Sequence, residues 1–270
     1  MTKKLFSAPF IVFMICGTLI PACVIAYYGF TDRSGAFTWT NVVAMATGQH
    51  AKALGLSLLL AFISTAICLL LAFPLGLILK GTKLGRKGFM IFVFILPMWM
   101  NFLLRTMAWQ VLLEKNGIIN SFLAAIGLPQ LTIINTAAAV VLGMVYDYLP
   151  FMVLPIYNAI VRIDKHLIEA AYDLGAEKRT VLAKIIIPLS VPGIVSGVTM
   201  VFVPSLTTFA ISNMLGGGKV NLIGNIIEQE FTASSNWNLG SGLSLVMMIF
   251  IVISMALIEK FDRNGEGNMI

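Results

Sequence analysis

Residues 169–188 read EAAYDLGAEKRTVLAKIIIP, the most charged neighbourhood of a chain that is otherwise mostly apolar. Eight charged side chains fall between Arg162 and Arg179 (Arg162, Asp164, Lys165, Glu169, Asp173, Glu177, Lys178 and Arg179), so this segment belongs in water. Leu167, Ile168, Ala171 and Leu174 recur at helical spacing and predict a short amphipathic helix. Gly175 follows Leu174, where a glycine would end that helix. A second helical run starts near Glu177 and passes through Lys184 into Ile185, Ile186 and Ile187. The pattern is a helix–turn–helix elbow over about residues 161–184, set between two apolar runs. Its edge of small residues (Ala170, Ala171, Gly175) allows another surface to approach closely. A segment that only joined two spans could be much shorter.

The rest of the chain sets the class. Of 270 residues, 59% are hydrophobic and 11% are charged, against about a quarter charged in soluble domains. This composition is that of an all-α, polytopic membrane protein. Apolar runs at approximately 5–30, 53–79, 89–113, 133–160, 185–211 and 239–258 predict six transmembrane helices, each able to cross about 30 Å of hydrocarbon. The first run follows Lys3 and Lys4 as a signal peptide would. It exceeds the usual apolar core of about 7–15 residues, so we read it as a retained span. No internal repeat or low-complexity linker divides the chain, and residues 1–270 read as one membrane domain.

Orientation follows from the basic residues. With the N-terminus inside, thirteen Lys and Arg fall on the inner side: Lys3, Lys4, Lys80, Lys83, Arg86, Lys87, Arg162, Lys165, Lys178, Arg179, Lys184, Lys260 and Arg263. Four (Arg33, Lys52, Lys115, Lys219) fall outside, and Arg105 lies within a span. The asymmetry places both termini and the elbow in the cytoplasm. The net charge of +6 is therefore topological and does not signal nucleic-acid binding.

Catalytic signatures are missing from the sequence. It contains no H-E-x-x-H and no G-x-S-x-G, and its two histidines, His50 and His166, sit near loops without a partner set. Gly216-Gly217-Gly218-Lys219 lacks the frame of a phosphate-binding loop and falls on the outer side. Cys16, Cys23 and Cys68 have no metal or redox spacing and read as packing residues. The last outer segment carries Leu222, Ile223, Ile226, Ile227 and Phe231 on one helical face, an amphipathic helix within a loop at about 212–238.

Polar residues inside spans need a reason, because a charge there costs at least about 2.5–3.5 kcal/mol. Asp147 lies in the fourth span between Tyr146 and Tyr148, an acid beside aromatics that suits an organic cation. It could equally pair with Arg105 or face a partner subunit. Arg105 could snorkel outward or orient Asp147, Glu114 or a partner's carboxylate. Asn101 falls one helical turn before it, on the same face. Trp99 is an interface anchor or part of an aromatic lining, as is Trp109. Pro97, Pro150, Pro155 and Pro204 are expected to interrupt spans three to five, where broken helices line a cavity or pack on protein. Ser205, Thr207, Thr208, Ser212 and Asn213 add polar groups to span five. These spans are the expected translocation path, with Asp147, Tyr146, Tyr148, Trp99, Asn213 and Ser205 as substrate-path candidates.

The quoted stretch resembles the EAA loop of ABC-importer permeases. Glu169, Ala170, Ala171, Gly175, Ile185 and Pro188 fall at that family's spacings, and Ile187 stands where leucine is usual. The segments LPMWMNFLLRTMAW, VYDYLPFMVLPIYNAI, EAAYDLGA, IIIPLSVPGIVSG and NLIGNIIEQEF extend the resemblance. They look like the PotB-type permeases of spermidine/putrescine importers, over about residues 96–231. At Asn213 some members of that family carry an acid. The resemblance implies the type I ABC-importer permease fold and a prokaryotic plasma (inner) membrane. It implies a cytoplasmic ABC ATPase dimer coupled through Glu169, Ala170, Ala171, Asp173 and Gly175. A second, PotC-type permease and an extracytoplasmic polyamine-binding protein would complete the complex. Arg105, Asn101 and Pro188 would be structural or gating residues. The chain itself would carry no cofactor, with ATP and Mg on the partner ATPase. Rival readings are an ABC permease for another solute (an amino acid, sulfate or iron chelate), an ATPase-independent carrier or channel, and an intramembrane enzyme.

Overall fold

The computed structural model describes residues 12–82 and 89–267. The expected start of the first span at Leu5, the pair Lys3 and Lys4, and residues 83–88 of the inner loop lie outside the described residues. The described chain is almost wholly helical, with one isolated antiparallel bridge between Thr31 and Phe37. Among the described residues five helices are long and apolar enough to cross a membrane: α1 (Val12–Gly29), α3 (Gly48–Gly81), α7 (Ala137–Arg162), α9 (Lys178–Thr207) and α12, whose apolar part is Trp237–Lys260. A short α2 (Thr40–Val43) precedes α3. The count reaches six when the bent pair in the third apolar run is taken as one span.

That third run is not a straight helix. The helix α4 (Phe89–Ile95) tightens into a 3₁₀ turn at Leu96–Trp99, and the chain restarts as α5 (Phe102–Leu113) after a bend of 94°. Pro97 opens the 3₁₀ turn, and Asn101 caps the new helix by accepting from the N–H groups of Leu103 (2.8 Å) and Leu104 (3.4 Å). Asn101 is thus the N-cap of the helix that carries Arg105, whose N–H donates to Asn101 O at 3.2 Å one turn on. The short helix α6 (Ile118–Ala125) follows. Asn120 pins the return chain there, donating to Glu114 O and Leu131 O and accepting from Leu131 N at 2.7 Å.

Pro150, Pro155 and Pro204 do not interrupt their helices, contrary to expectation. Pro150 and Pro155 lie within an uninterrupted α7; neighbouring helices support a buried helix that lacks individual backbone bonds. Pro21 and Pro188 each follow a π-helical turn, at Ile15–Leu19 and Leu182–Ile186. A proline ring excludes the carbonyl four residues earlier, and widening the preceding turn accommodates it. The helix of span five ends at Thr207, four residues before the end of the apolar run at 185–211. Thr208 is extended there, and α10 (Ala210–Gly216) restarts after Phe209.

The chain packs as two compact units. One runs up to Leu54 and includes Ile223–Ile253. In it α11 (Ile223–Thr232) buries Ile223 and Ile226, as its apolar face requires. Asn41 and Asn238 both donate to the Thr31 carbonyl, at 2.9 and 2.7 Å. The other unit takes in Gly55–Leu222 and the chain from Ser254. Its centre is α7, whose Val140, Met144, Met152, Ile156 and Ile160 are fully buried among residues of α3, α9 and α10. A β-carbon on Gly193 would stand 2.6 Å from Pro155 O, and one on Gly197 would press on the Met152 side chain and stand 3.3 Å from its carbonyl oxygen. This small-xxx-small stripe brings α9 against α7 at backbone distance.

Candidate functional site

Two places gather the singled-out residues, and the elbow is the first. Asp164 caps α8 (Lys165–Asp173) by accepting from His166 N at 2.9 Å. Lys165 Nζ meets Glu169 Oε1 at 2.5 Å, and His166 Nδ1 lies 3.5 Å from Oε2. The hydrogen bond from Lys165, then its charge, holds the Glu169 carboxyl below its usual value, so Glu169 stays ionised. At the far end Ala176 N donates to Ala171 O (3.0 Å) and Gly175 N to Tyr172 O (2.9 Å). This is a Schellman closure, which needs a left-handed residue at Gly175; its φ is +80°.

The elbow keeps its apolar residues out of the core. No residue of α8 is buried, and Leu167, Tyr172 and Leu174 are 52%, 45% and 89% exposed. An amphipathic helix earns its stability by burying its apolar stripe. Here the stripe is open, beside exposed Glu169, Ala170, Asp173 and Gly175. The surface has the composition of a docking face, apolar at its centre and charged at its rim. The elbow's second limb runs from Lys178 through the π-turn ahead of Pro188 into α9.

The second place is a buried ion pair between α5 and α7. Arg105 Nη2 lies 3.2 Å from Asp147 Oδ1, with the two side chains only 6% and 1% exposed. Thr106 Oγ1 donates to Asp147 Oδ2 at 3.0 Å, and Arg105 Nη1 donates to Pro97 O at 2.9 Å. Arg105 therefore ties the broken third span to the fourth and does not snorkel. Its guanidinium also stands 6.0 Å over the Tyr146 ring, which packs edge-to-face with Trp109 at 5.3 Å. Arg105 Nε and Asp147 Oδ1 are left without an aligned hydrogen bond, so the contact at 3.2 Å is mainly charge on charge. Both atoms are under-satisfied, an expensive arrangement in a dry interior.

The remaining candidates do not all join this pair. Tyr148 turns away and donates to Pro204 O at 3.4 Å. Trp99 is 75% exposed, with its ring edge-to-face on Phe92. Ser205 is fully buried with its hydroxyl unpartnered, and Asn213 lies exposed on α10. Tyr146 and Trp109 instead line an apolar cleft of about 660 Å³ with Leu60, Ile67, Val141 and Leu149. His50 is a local brace to Thr47 and Ala44, and His166 belongs to the elbow. Gly217 and Gly218 form the left-handed turn that follows α10.

Sequence reasoning missed Thr106 and the Gly193/Gly197 stripe. The stripe had a visible signal in its four-residue spacing. Thr106 had none, since only the packing of α5 on α7 brings its hydroxyl to Asp147.

Comparison with known proteins gives the family and the fold. The family model described as binding-protein-dependent transport system inner membrane component matches residues 72–264. The chain is 34% identical, over 98% of its length and 96% of the relative's, to the spermidine/putrescine transport system permease protein PotB of Haemophilus influenzae. It is 33% identical to PotB of Escherichia coli, covering 93% of this chain and 94% of that one. Among solved structures, a bacterial ABC transporter involved in the import of the acidic polysaccharide alginate matches with a TM-score of 0.83, over 97% of this chain and 95% of that chain, at 15% identity. The MetNI methionine ABC transporter matches with a TM-score of 0.53 over 80% and 94%, at 20% identity. At those identities the structural likeness speaks for the fold alone.

Proposed function

We propose, from the premise that the chain belongs to the family of binding-protein-dependent transport system inner membrane components, that it is a membrane-spanning permease subunit of a polyamine ABC importer. The observation that carries the reading is α8: a capped, glycine-closed helix between two spans that presents Leu167, Tyr172 and Leu174 outward. That surface fits a groove on a cytoplasmic ATPase dimer, which would hold ATP and Mg and supply the energy this chain lacks the motifs to extract. The PotB relatives support spermidine or putrescine as solute. A second permease of PotC type would form the other half of the pore, and an extracytoplasmic binding protein would deliver the polyamine. The setting is a prokaryotic inner membrane, with both termini and the elbow in the cytoplasm and residues 1–270 acting as one permease domain.

The mechanism is alternating access. Closure of the ATPase on ATP moves α8 through its docked face and opens the pore outward; hydrolysis resets it. Asp147 and its aromatic neighbour Tyr146 are the proposed polyamine contacts, with Trp99, Tyr148, Ser205 and Asn213 along the same path. Since Arg105 occupies Oδ1, an ammonium reaching that oxygen takes the place of the guanidinium.

Uptake of labelled spermidine by cells lacking other polyamine importers tests the reading. The wild-type complex restores uptake, and amino acids, sulfate and iron chelates do not compete. Asp147→Asn is expected to raise the apparent KM by about tenfold, the worth of one charge-assisted contact. Unchanged kinetics and unchanged basal ATPase activity would make Asp147 purely structural.

A further inference from the structure

The root of the elbow is held by a residue from another span. Lys80, the penultimate residue of α3, donates from Nζ to Ile160 O at 2.8 Å and to Ile163 O at 3.3 Å. Ile160 belongs to the last turn of α7, and its carbonyl also accepts from the C-cap N–H of Ile163 at 3.3 Å, so the lysine takes up its remaining lone pair. Ile163 is the C-cap of α7, and the next residue, Asp164, caps α8. One ammonium therefore grips the last turn of α7 and the capping residue that leads from it into the elbow. The two carbonyls also sit at the negative end of the α7 dipole, which favours a cation there.

The grip lies at the end of a long packed seam. Cys68 Sγ lies 3.8 Å from Val145 O, and Cys68, Ala72 and Leu79 of α3 are buried with Met152, Ile156 and Ile160 of α7. Apart from that weak thiol contact the seam is apolar and close-packed. The lysine adds two charge-assisted, directional bonds at the one point where α7 gives way to α8.

We infer that Lys80 is a positioning residue for energy coupling: it fastens the elbow's root to α3, so that a displacement of α8 moves α3 and α7 together. The inference rests on the reading of α8 as the ATPase-docking helix. Without the lysine, the link at Ile163 can bend, and movement of α8 is absorbed before it reaches the spans. ATP would then be hydrolysed without a matching transport step. Docking itself is untouched, because Lys80 lies outside the exposed face of α8.

The test is the full complex of both permeases, the ATPase and the binding protein in proteoliposomes, with labelled spermidine taken up per ATP hydrolysed as the readout. Lys80→Met keeps the stem and removes the donors; it is expected to lower this ratio by about fivefold or more, the low end of coupling between distant sites. Lys80→Arg keeps donors for both carbonyls and is expected to restore it. The ATPase should co-purify with all three forms alike. An unchanged ratio in Lys80→Met, or parallel falls in uptake and hydrolysis, overturns the inference. Lys80→Gln, which keeps one donor, serves if Lys80→Met does not assemble. Failure of both to assemble while Lys80→Arg behaves normally assigns the lysine to folding and also overturns it. Loss of ATPase co-purification from the wild-type chain would instead overturn the docking reading, and the inference with it.

Discussion

Gly175→Asp is expected to abolish polyamine uptake while the chain still inserts at normal abundance. Gly175 holds φ at +80°, and a β-carbon placed on it meets nothing within 4 Å. No clash with the core follows, so insertion and packing are spared. A left-handed backbone costs an ordinary L-residue about 1–2 kcal/mol, and aspartate is among the residues that visit it most readily. Backbone strain is thus the smaller part of the effect. The larger part is electrostatic, because the new carboxylate stands beside Leu174 and Tyr172, on the surface that must lose its water against the ATPase. An unpaired charge buried in an interface costs several kcal/mol. Gly175→Ala brings the strain without the charge and should retain measurable uptake. Spermidine transport compared with membrane abundance by immunoblot decides it, and near-normal uptake in the aspartate variant would remove the case for docking at this turn.

Arg105→Met is expected to be the most destabilising single change in the spans, by about 3–5 kcal/mol, because it strands Asp147 in a buried site. The carboxylate would keep only Thr106. The Pro97 carbonyl would lose the donor that ties the bend of the third span together. Replacing both members, as Arg105→Met with Asp147→Leu, should recover most of the lost thermal stability in detergent. A buried pair exchanged for apolar side chains of similar volume is close to neutral. Strictly additive losses would show that the two residues are not energetically coupled. The double variant also separates folding from transport: it should be stable and still show a raised apparent KM for polyamine, as Asp147→Asn should.

Legibility in the sequence followed the range of the interactions. The elbow could be read in detail, down to its terminating glycine, because its caps and periodicity lie within a dozen residues and its charges stand out against apolar flanks. The amphipathic α11 was readable for the same reason. In the third span Pro97 announced the break but not the direction of the bend, since an apolar run does not record which way a segment turns. Asn101 carried the signal for the restart, as an N-cap, and reading it as a residue within the helix hid that. Pro150 and Pro155 misled in the opposite sense, because packing around α7 supplies what the missing backbone bonds would have given. For Arg105 the sequence left several partners open, and only the docking of α5 on α7 selects Asp147. Lys80 carried a topological signal, its place on the inner side, and no hint that it reaches carbonyls eighty residues further on.

The central claim is that residues 169–188 dock an ATPase that drives polyamine import. Gentle affinity purification of the chain from its native membrane, followed by ATPase assay with binding protein and spermidine, tests it most directly. The account predicts that an ABC ATPase and a second permease come down with the chain, and that spermidine raises ATP turnover. Co-purification with stimulation only by another solute would leave the coupling and refute the polyamine assignment. Recovery of the chain without any ATPase would contradict the reading of the elbow itself.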